Sequence, residues 1–304
     1  MDLDGDGHGD IISGSYWPGN MFIFRGKADG TFEKGEILKD LEGKNLNAGS
    51  PSASPKKPDL DGLAASPFAF DDDGDGILDL FVGNIAGRVI LIPNEGTARK
   101  PAFNPQKRRA VEAGGTAIKV PGGDAGPFVA DWDQDGKPDL LVGAGDGSVW
   151  LYRNVGTRKE ARYAAGVPLL PASKRLWNPV PADQAPDSPG LRCKVCVTDW
   201  NGDGRPDLLV GDFWLQSPAV PKLTPEDTKR CDDLKARRSE LSRTLSTWYK
   251  KQKDGKDDEG SAELKALQKE LGNLSKELSK YEPRTTQHGS VWLYLRKADG
   301  ANGK

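Results

Sequence analysis

The chain has 304 residues, 36% of them hydrophobic and 29% charged, with a formal net charge of −2. That balance supplies no basic face for a nucleic-acid partner, and no apolar run reaches the length of a membrane span. Its 37 glycines and 22 prolines are enough to punctuate many short strands, as in an all-β protein.

The chain opens on DLDGDGHGDIISG from Asp2, an acidic loop that runs straight into an apolar strand. Oxygen-bearing side chains fall at loop positions 1, 3, 5 and 9, here Asp2, Asp4, Asp6 and Asp10, around Gly7. The pattern returns in DDDGDGILDLFVG as Asp71, Asp73, Asp75 and Asp79 around Gly76. DWDQDGKPDLLVG carries it as Asp131, Asp133, Asp135 and Asp139 around Gly136. DWNGDGRPDLLVG carries it as Asp199, Asn201, Asp203 and Asp207 around Gly204. Repetition on this scale organises a chain before any single motif does.

Each copy is followed by a second apolar run: NMFIFRG, GRVILIPN, GSVWLYRN and GSVWLYLR. Three are preceded by a short apolar lead, SPFAF, GPFVA and KVCVT. Each unit therefore reads as strand, acidic loop, strand, tight turn, strand and a looser fourth strand. The cores LLV and VWLY are apolar at consecutive positions, so the sheets are expected to be buried on both faces. Radially stacked blades meet that need, which is the logic of a β-propeller.

Clustered like charges repel unless a cation sits among them. Alternate residues on a curled loop converge on one point, and the position-6 glycine permits the sharp turn. The backbone carbonyl at position 7, of His8, Ile77, Lys137 or Arg205, adds a further oxygen. An all-oxygen set of about five protein ligands plus water suits Ca²⁺, whereas Mg²⁺ demands stricter geometry. An EF-hand begins the same way but needs a glutamate at position 12 between two helices. Position 12 is Ser13, Val82, Val142 or Val210, and a β run follows. The EF-hand reading fails in all four copies. PDLDGL, from Pro58 to Leu63, lacks the later ligand positions and reads as an ordinary loop.

Cys193 and Cys196 form a lone CxxC, and with only two histidines in the chain a four-ligand zinc site is not expected. In a strand their Cα atoms lie roughly 10 Å apart, too far for a disulfide. Small buried side chains are the expectation. Tyr16, Trp17, Phe213 and Trp214 lie just past strand ends, where packing between blades is expected ahead of a sugar-stacking platform.

Between LLVGDFW and HGSVWLYLR the fourth copy carries a long insert. Thr224 is placed to cap a helix, with Pro225, Glu226 and Asp227 in its first turn. Leu234, Leu241, Leu245 and Trp248 recur at heptad spacings. KDGKDDEGS breaks the run, and Ser261 is placed to cap a second helix. Leu264, Leu267, Leu271, Leu274, Leu278 and Tyr281 then alternate by three and four, before Glu282-Pro283 ends it. This predicts an antiparallel helical hairpin with a leucine, coiled-coil-like seam. Arg237, Arg238, Lys250, Lys251 and Lys253 read as its solvated basic face. The expected organisation is blades over 1–216, the hairpin insert over 217–283, and a final strand and tail over 284–304.

DxDGDGxxDLLVG followed by GxVxLYxN resembles the FG-GAP/VCBS repeats, the blade unit of integrin-α-like β-propellers. The resemblance covers nearly the whole chain apart from the insert. It implies four-stranded blades with Ca²⁺ held in the hairpin loop, by the four residue sets named above. It also implies a secreted or surface protein in adhesion, ligand binding or carbohydrate-directed roles; with no catalytic constellation in the sequence, the expectation is a noncatalytic module, extracellular, periplasmic or at the cell surface, that binds a protein or carbohydrate ligand. Asn201 replaces one carboxylate and is expected to weaken the fourth site. The first loop is expected to be frayed, and a missing N-terminal part is expected ahead of Met1. No HExxH, GxSxG or phosphate-binding loop is present. A polysaccharide lyase on the same calcium-binding scaffold is the alternative. The hairpin is either a self-sealing decoration or an arm for a partner.

Overall fold

The computed structural model describes residues 1–49, 60–175, 177–219, 221–253 and 261–297. Apolar runs bounded by glycine turns form antiparallel strands wherever the sequence repeats. Sheet 1 consists of β1 (Ile11–Gly14), β2 (Met21–Phe24) and β3 (Glu36–Ile37), paired in that order. Sheet 2 runs β4 (Ser66–Phe70), β5 (Asp79–Gly83), β6 (Val89–Ile92) and β7 (Arg109–Ala110). A short ribbon of β8 (Glu112–Ala113) and β9 (Thr116–Ala117) follows. Sheet 3 repeats the plan with β10 (Gly126–Ala130), β11 (Asp139–Gly143), β12 (Val149–Tyr152) and β13 (Val167–Leu170). Sheet 4 joins β14 (Leu191–Thr198), β15 (Asp207–Gln216), β16 (Thr286–His288) and β17 (Val291–Tyr294), with β17 pairing β15.

Directly opposed residues of an antiparallel pair share a face. In sheet 3, Leu141 opposes Phe128 and Leu151, and Gly143 opposes Gly126 and Val149; this is its forward face. Leu140 opposes Val129 and Tyr152 on the rear face, where Val142 opposes Trp150. Each of the three cores among the sheets joins the forward face of one sheet to the rear face of the next. Met21 and Ile23 of sheet 1 meet Leu80, Val82, Ile90 and Ile92 of sheet 2. Phe81, Val89 and Leu91 meet Val129, Leu140, Val142 and Tyr152. Leu141, Val149 and Leu151 meet Leu208 and Val210.

In sheets 1 to 3 a close approach to the next sheet falls on the glycine that ends the strand after the acidic loop. A β-carbon on Gly83 would lie 2.1 Å from the Ala125 carbonyl oxygen, and one on Gly143 would lie 2.2 Å from that of Cys193. Only glycine fits where one backbone presses on the next sheet.

Burial on both faces is found in the middle of the chain and not at its ends. β5, β6 and β11 are buried throughout. Sheets 1 and 4 each leave one face open, because among the described residues no further sheet packs there. Sheet 1 also has three strands rather than four, since the residues ahead of Ile11 form the acidic loop instead of a leading strand.

The cysteines are free, and Cys193 is buried as expected. Cys196 is exposed instead, because β14 turns it, opposite Leu209, onto the open face of sheet 4. Tyr16 and Trp17 are exposed as well and pack between no sheets. Phe213 stacks edge-on against Trp177, and the Trp214 indole donates to Ser290 Oγ. Of PDLDGL, residues 58 and 59 lie outside the described residues. Leu60–Gly62 form a single 3-10 turn whose Asp61 accepts from Asn84 and Arg88.

Contacts divide the chain into two compact units. The sheets up to Trp214, with Gly289 onward, make the first; Pro179–Ala185 and Leu215–His288 make the second. The second holds α1 (Pro225–Lys253) and α2 (Ser261–Leu278). Thr224 caps α1 as its sequence predicts: Thr224 Oγ1 accepts from the Asp227 N–H at 3.1 Å, and Asp227 Oδ2 accepts from the Thr224 N–H at 3.1 Å. Ser261 is the first helical residue of α2. Ion pairs Arg230–Glu277 and Arg237–Glu270, at 2.6 and 2.8 Å, show that the helices run antiparallel. Cys231, Leu234 and Leu278 are buried between them, backed by Leu274 and Tyr281. The connection at 254–260 lies outside the described residues, as do the side chains of Lys250, Lys251 and Lys253. Arg237 is paired across the seam rather than free in a solvated basic face.

Candidate metal centres

Every acidic loop is shaped by its own carboxylates before any ion is considered. The position-1 aspartate collects the backbone N–H groups of positions 5 and 6. Asp131 accepts from Asp135 N at 3.0 Å and Gly136 N at 2.9 Å. Asp2, Asp71 and Asp199 do the same in their loops. The position-5 aspartate then accepts the N–H of position 7, at 2.8 Å for His8 and Ile77, 2.9 Å for Lys137 and 3.0 Å for Arg205. Gly136 at position 6 has φ +83°, and a β-carbon there would touch nothing within 4 Å. Glycine is required there by the left-handed backbone, not by space.

The position-9 aspartate begins the strand in three copies, directly precedes it in the first, and is buried in all four. Its two oxygens pin the loop to the far end of the hairpin. Asp139 Oδ2 accepts from Trp132 N at 3.2 Å and Oδ1 from Asn154 N at 2.7 Å. Asp79 binds the N–H groups of Asp72 and Asn94 in the same way, and Asp10 those of Leu3 and Gly26. In the fourth copy Asp207 takes Trp200 N and, across the insert, Arg296 N. Leu3 is buried in the first core, so the expectation of a frayed first loop is overturned: its own apolar residue anchors it.

Three of the four loops gather three carboxylates each, not the full set at positions 1, 3, 5 and 9, and Asp10, Asp79 and Asp135 fall outside these groups. Oxygens of Asp2, Asp4 and Asp6 lie within 4.8 Å of one another, as do those of Asp71, Asp73 and Asp75, and those of Asp131, Asp133 and Asp139. In the fourth loop Asn201 Nδ2 donates to Asp203 Oδ2 at 3.0 Å, so the amide satisfies a carboxylate there. Two unit charges 4.8 Å apart repel by roughly 3 kcal/mol at an effective dielectric of 20. Burial, with Asp73 and Asp72 close by, pushes the Asp79 carboxyl up from 3.8 to about 6. Asp139 is raised too, by burial first and then by the charge of Asp133.

Two oxygens inside these clusters, Asp4 Oδ1 and Asp133 Oδ1, are buried with no hydrogen-bond partner. A buried carboxylate oxygen without a donor is costly. A hard cation among oxygen donors would meet this need, and the residues present fit Ca²⁺.

Basic side chains already attend the loops, a feature that motif spacing alone did not reveal. Arg25 reaches Asp4 at 2.9 Å, and Lys137 folds back onto Asp135 at 2.7 Å. Arg205 does the same to Asp203. Arg153 and Arg158 approach Asp133 and Asp71 at 3.7 Å. The signal was in the sequence at position 7, where Lys137 and Arg205 contribute a charged side chain as well as a carbonyl.

Fold and site together define a repeat protein of stacked antiparallel sheets, each carrying an acidic loop at one hairpin corner. The FG-GAP-like repeat model matches residues 2–82, 71–142 and 131–210, each match running from one acidic loop into the strand after the next. The chain belongs to the FG-GAP repeat family. No curated protein matches it. Among the described residues no helix is long and apolar enough to cross a membrane.

Proposed function

We propose that the chain is a calcium-stabilised, noncatalytic β-propeller module that binds a protein or glycan outside the cell. The observation that carries the calcium reading is the pair of buried, partnerless oxygens, Asp4 Oδ1 and Asp133 Oδ1, inside clusters of converging carboxylates. The ligands are Asp2, Asp4, Asp6 and Asp10 with the His8 carbonyl, and the matching sets at 71–79, 131–139 and 199–207. The fourth set, with Asn201, is the weakest. Bound Ca²⁺ supplies positive charge and no bond-making chemistry. The protein contributes loops held open by backbone bonds to Asp131 and its counterparts, and position-9 aspartates that tie each loop to its sheet.

Family membership supports the propeller arrangement and a binding or adhesion role. Extracellular modules of this kind hold calcium with dissociation constants on the order of 10⁻⁴–10⁻³ M, which suits a compartment rich in the ion.

A ligand that binds only the folded state stabilises it by about 2.7 kcal/mol at a hundred times its dissociation constant. Thermal unfolding in excess Ca²⁺ and in EDTA tests the reading. A higher melting temperature with Ca²⁺ is expected, and coincident curves at saturating Ca²⁺ exclude structural calcium.

A further inference from the structure

Position 2 of the acidic loop is Leu3, Trp132 or Trp200 in three copies, and Asp72 in the second. Leu3 is buried in the core that joins sheet 1 to sheet 2, and Trp132 packs against the core that joins sheet 3 to sheet 4. At the junction of sheets 2 and 3 the matching residue is the short, polar Asp72, and a cavity of about 680 Å³ opens beside it. That size falls in the range of small-molecule sites, about 300–1,000 Å³. Its lining residues all lie between 72 and 163, inside the run of repeats.

Part of the lining is apolar and belongs to the core, where Phe81 and Val111 are buried. Two carboxylates, two guanidiniums and a phenol make up the polar part: Asp72, Glu112, Arg109, Arg162 and Tyr163. Asp72 Oδ2 accepts from the Arg109 guanidinium at 2.7 Å. Among the described residues, Asp72 Oδ1 accepts no hydrogen bond, and the side chains of Glu112, Arg162 and Tyr163 make none. The Tyr163 ring packs against the core, and a tyrosine hydroxyl in such a place ordinarily finds a partner. Burial raises this phenol above its ordinary range, so it stays protonated and able to donate. Backbone bonds hold the walls in place: Gly114 N–H donates to the Tyr163 carbonyl, and Val111 N–H to that of Val89, each at 2.9 Å.

We propose that this cavity binds a neutral sugar ring of a glycan. The inference rests on the reading of the chain as a binding module and does not depend on calcium. Every sugar hydroxyl both donates and accepts. A ring of them is satisfied by a lining that offers acceptors at Asp72 and Glu112, donors at Arg109 and Arg162, and a phenol that does both. The apolar C–H face of the ring is covered by Phe81, Val111 and the ring of Tyr163. The two carboxylates balance the two guanidiniums, so an acidic glycan would set its own charge against Asp72 and Glu112.

An array of neutral gluco-, manno- and galacto-oligosaccharides beside uronic-acid and sulfated glycans tests this, followed by calorimetric titration of the retained sugar in Ca²⁺. The full chain is compared with Tyr163→Phe and Asp72→Leu. Tyr163→Phe keeps the ring and removes only the hydroxyl. It is expected to melt with the parent and to bind about tenfold more weakly, the worth of one hydrogen bond. Asp72→Leu restores the residue that the first copy carries, and is expected to fill the cavity and abolish binding while circular dichroism stays that of the parent. A parent that retains no neutral glycan, or that prefers acidic ones, overturns the proposal; if it retains no glycan at all, the binding reading then falls on a protein ligand. A neutral glycan held equally well by the parent and Tyr163→Phe also overturns it, while leaving the chain a glycan-binding module with its site elsewhere.

Discussion

Replacing Gly143 and Gly211 by alanine, separately, probes the same repeat position in two surroundings. At Gly143 the new methyl would lie 2.2 Å from the Cys193 carbonyl oxygen and 2.7 Å from its carbon. Those are backbone atoms of a neighbouring strand and cannot rotate aside, so sheets 3 and 4 must separate locally by about 1 Å. Overpacking of this kind costs about 1–3 kcal/mol. At Gly211 the methyl meets nothing closer than 3.8 Å. There alanine lowers the entropy of the unfolded chain and stabilises by about 0.4–1 kcal/mol. Urea unfolding, read at a dilution where the chain is monomeric, should lower the midpoint for Gly143→Ala and leave it equal or higher for Gly211→Ala. Equal losses at both positions would refute the reasoning, since they would mean that sheet contact does not set the cost.

Two further outcomes follow from named groups. Without metal, the folded-state carboxyl of Asp79 titrates near 6 against an ordinary 3.8. The folded chain therefore holds more protons between those values, and the Asp79 contribution to stability falls as pH rises through that window. Calcium requires the ionised form, so the stabilisation given by Ca²⁺ should shrink as pH drops from 7 to 5. Melting curves with and without Ca²⁺ across that range check this, and Asp79→Asn should flatten the metal-free dependence. Thiol chemistry separates the cysteines: iodoacetamide should label Cys196 in the native protein and spare Cys193. Cys193 is sealed, and burial, reinforced by Asp212, pushes its thiol up to about 12. Peptide mass mapping before and after denaturation reads the difference, and early labelling of Cys193 would contradict the packing of β14.

The strands and the acidic loops were legible because their information is local. DLLVG and VWLY state a strand by composition, and Asp131, Asp133 and Asp135 state a convergent loop by spacing. Thr224 and Asp227 likewise announced the start of α1. The second role of Asp139 was not legible, because its partner Asn154 N lies just past the end of β12, and for Asp207 the partner Arg296 N lies beyond the insert. Pairing of Arg237 with Glu270 depends on how two helices align, which a heptad pattern leaves open. Apolar runs such as GSVWLY read alike in copies three and four, yet Val149 is sealed and Val291 is open. That difference lies in the neighbouring sheet and not in the strand.

Calorimetric titration of Ca²⁺ into the chelator-stripped chain at pH 7 tests the central claim most directly. Saturable binding of more than one ion per chain is expected, with one fewer in Asp133→Ala, which removes the partnerless oxygen that is the best reason for an ion in the third loop. Heats of dilution alone, or a stoichiometry unmoved by Asp133→Ala, would contradict the account.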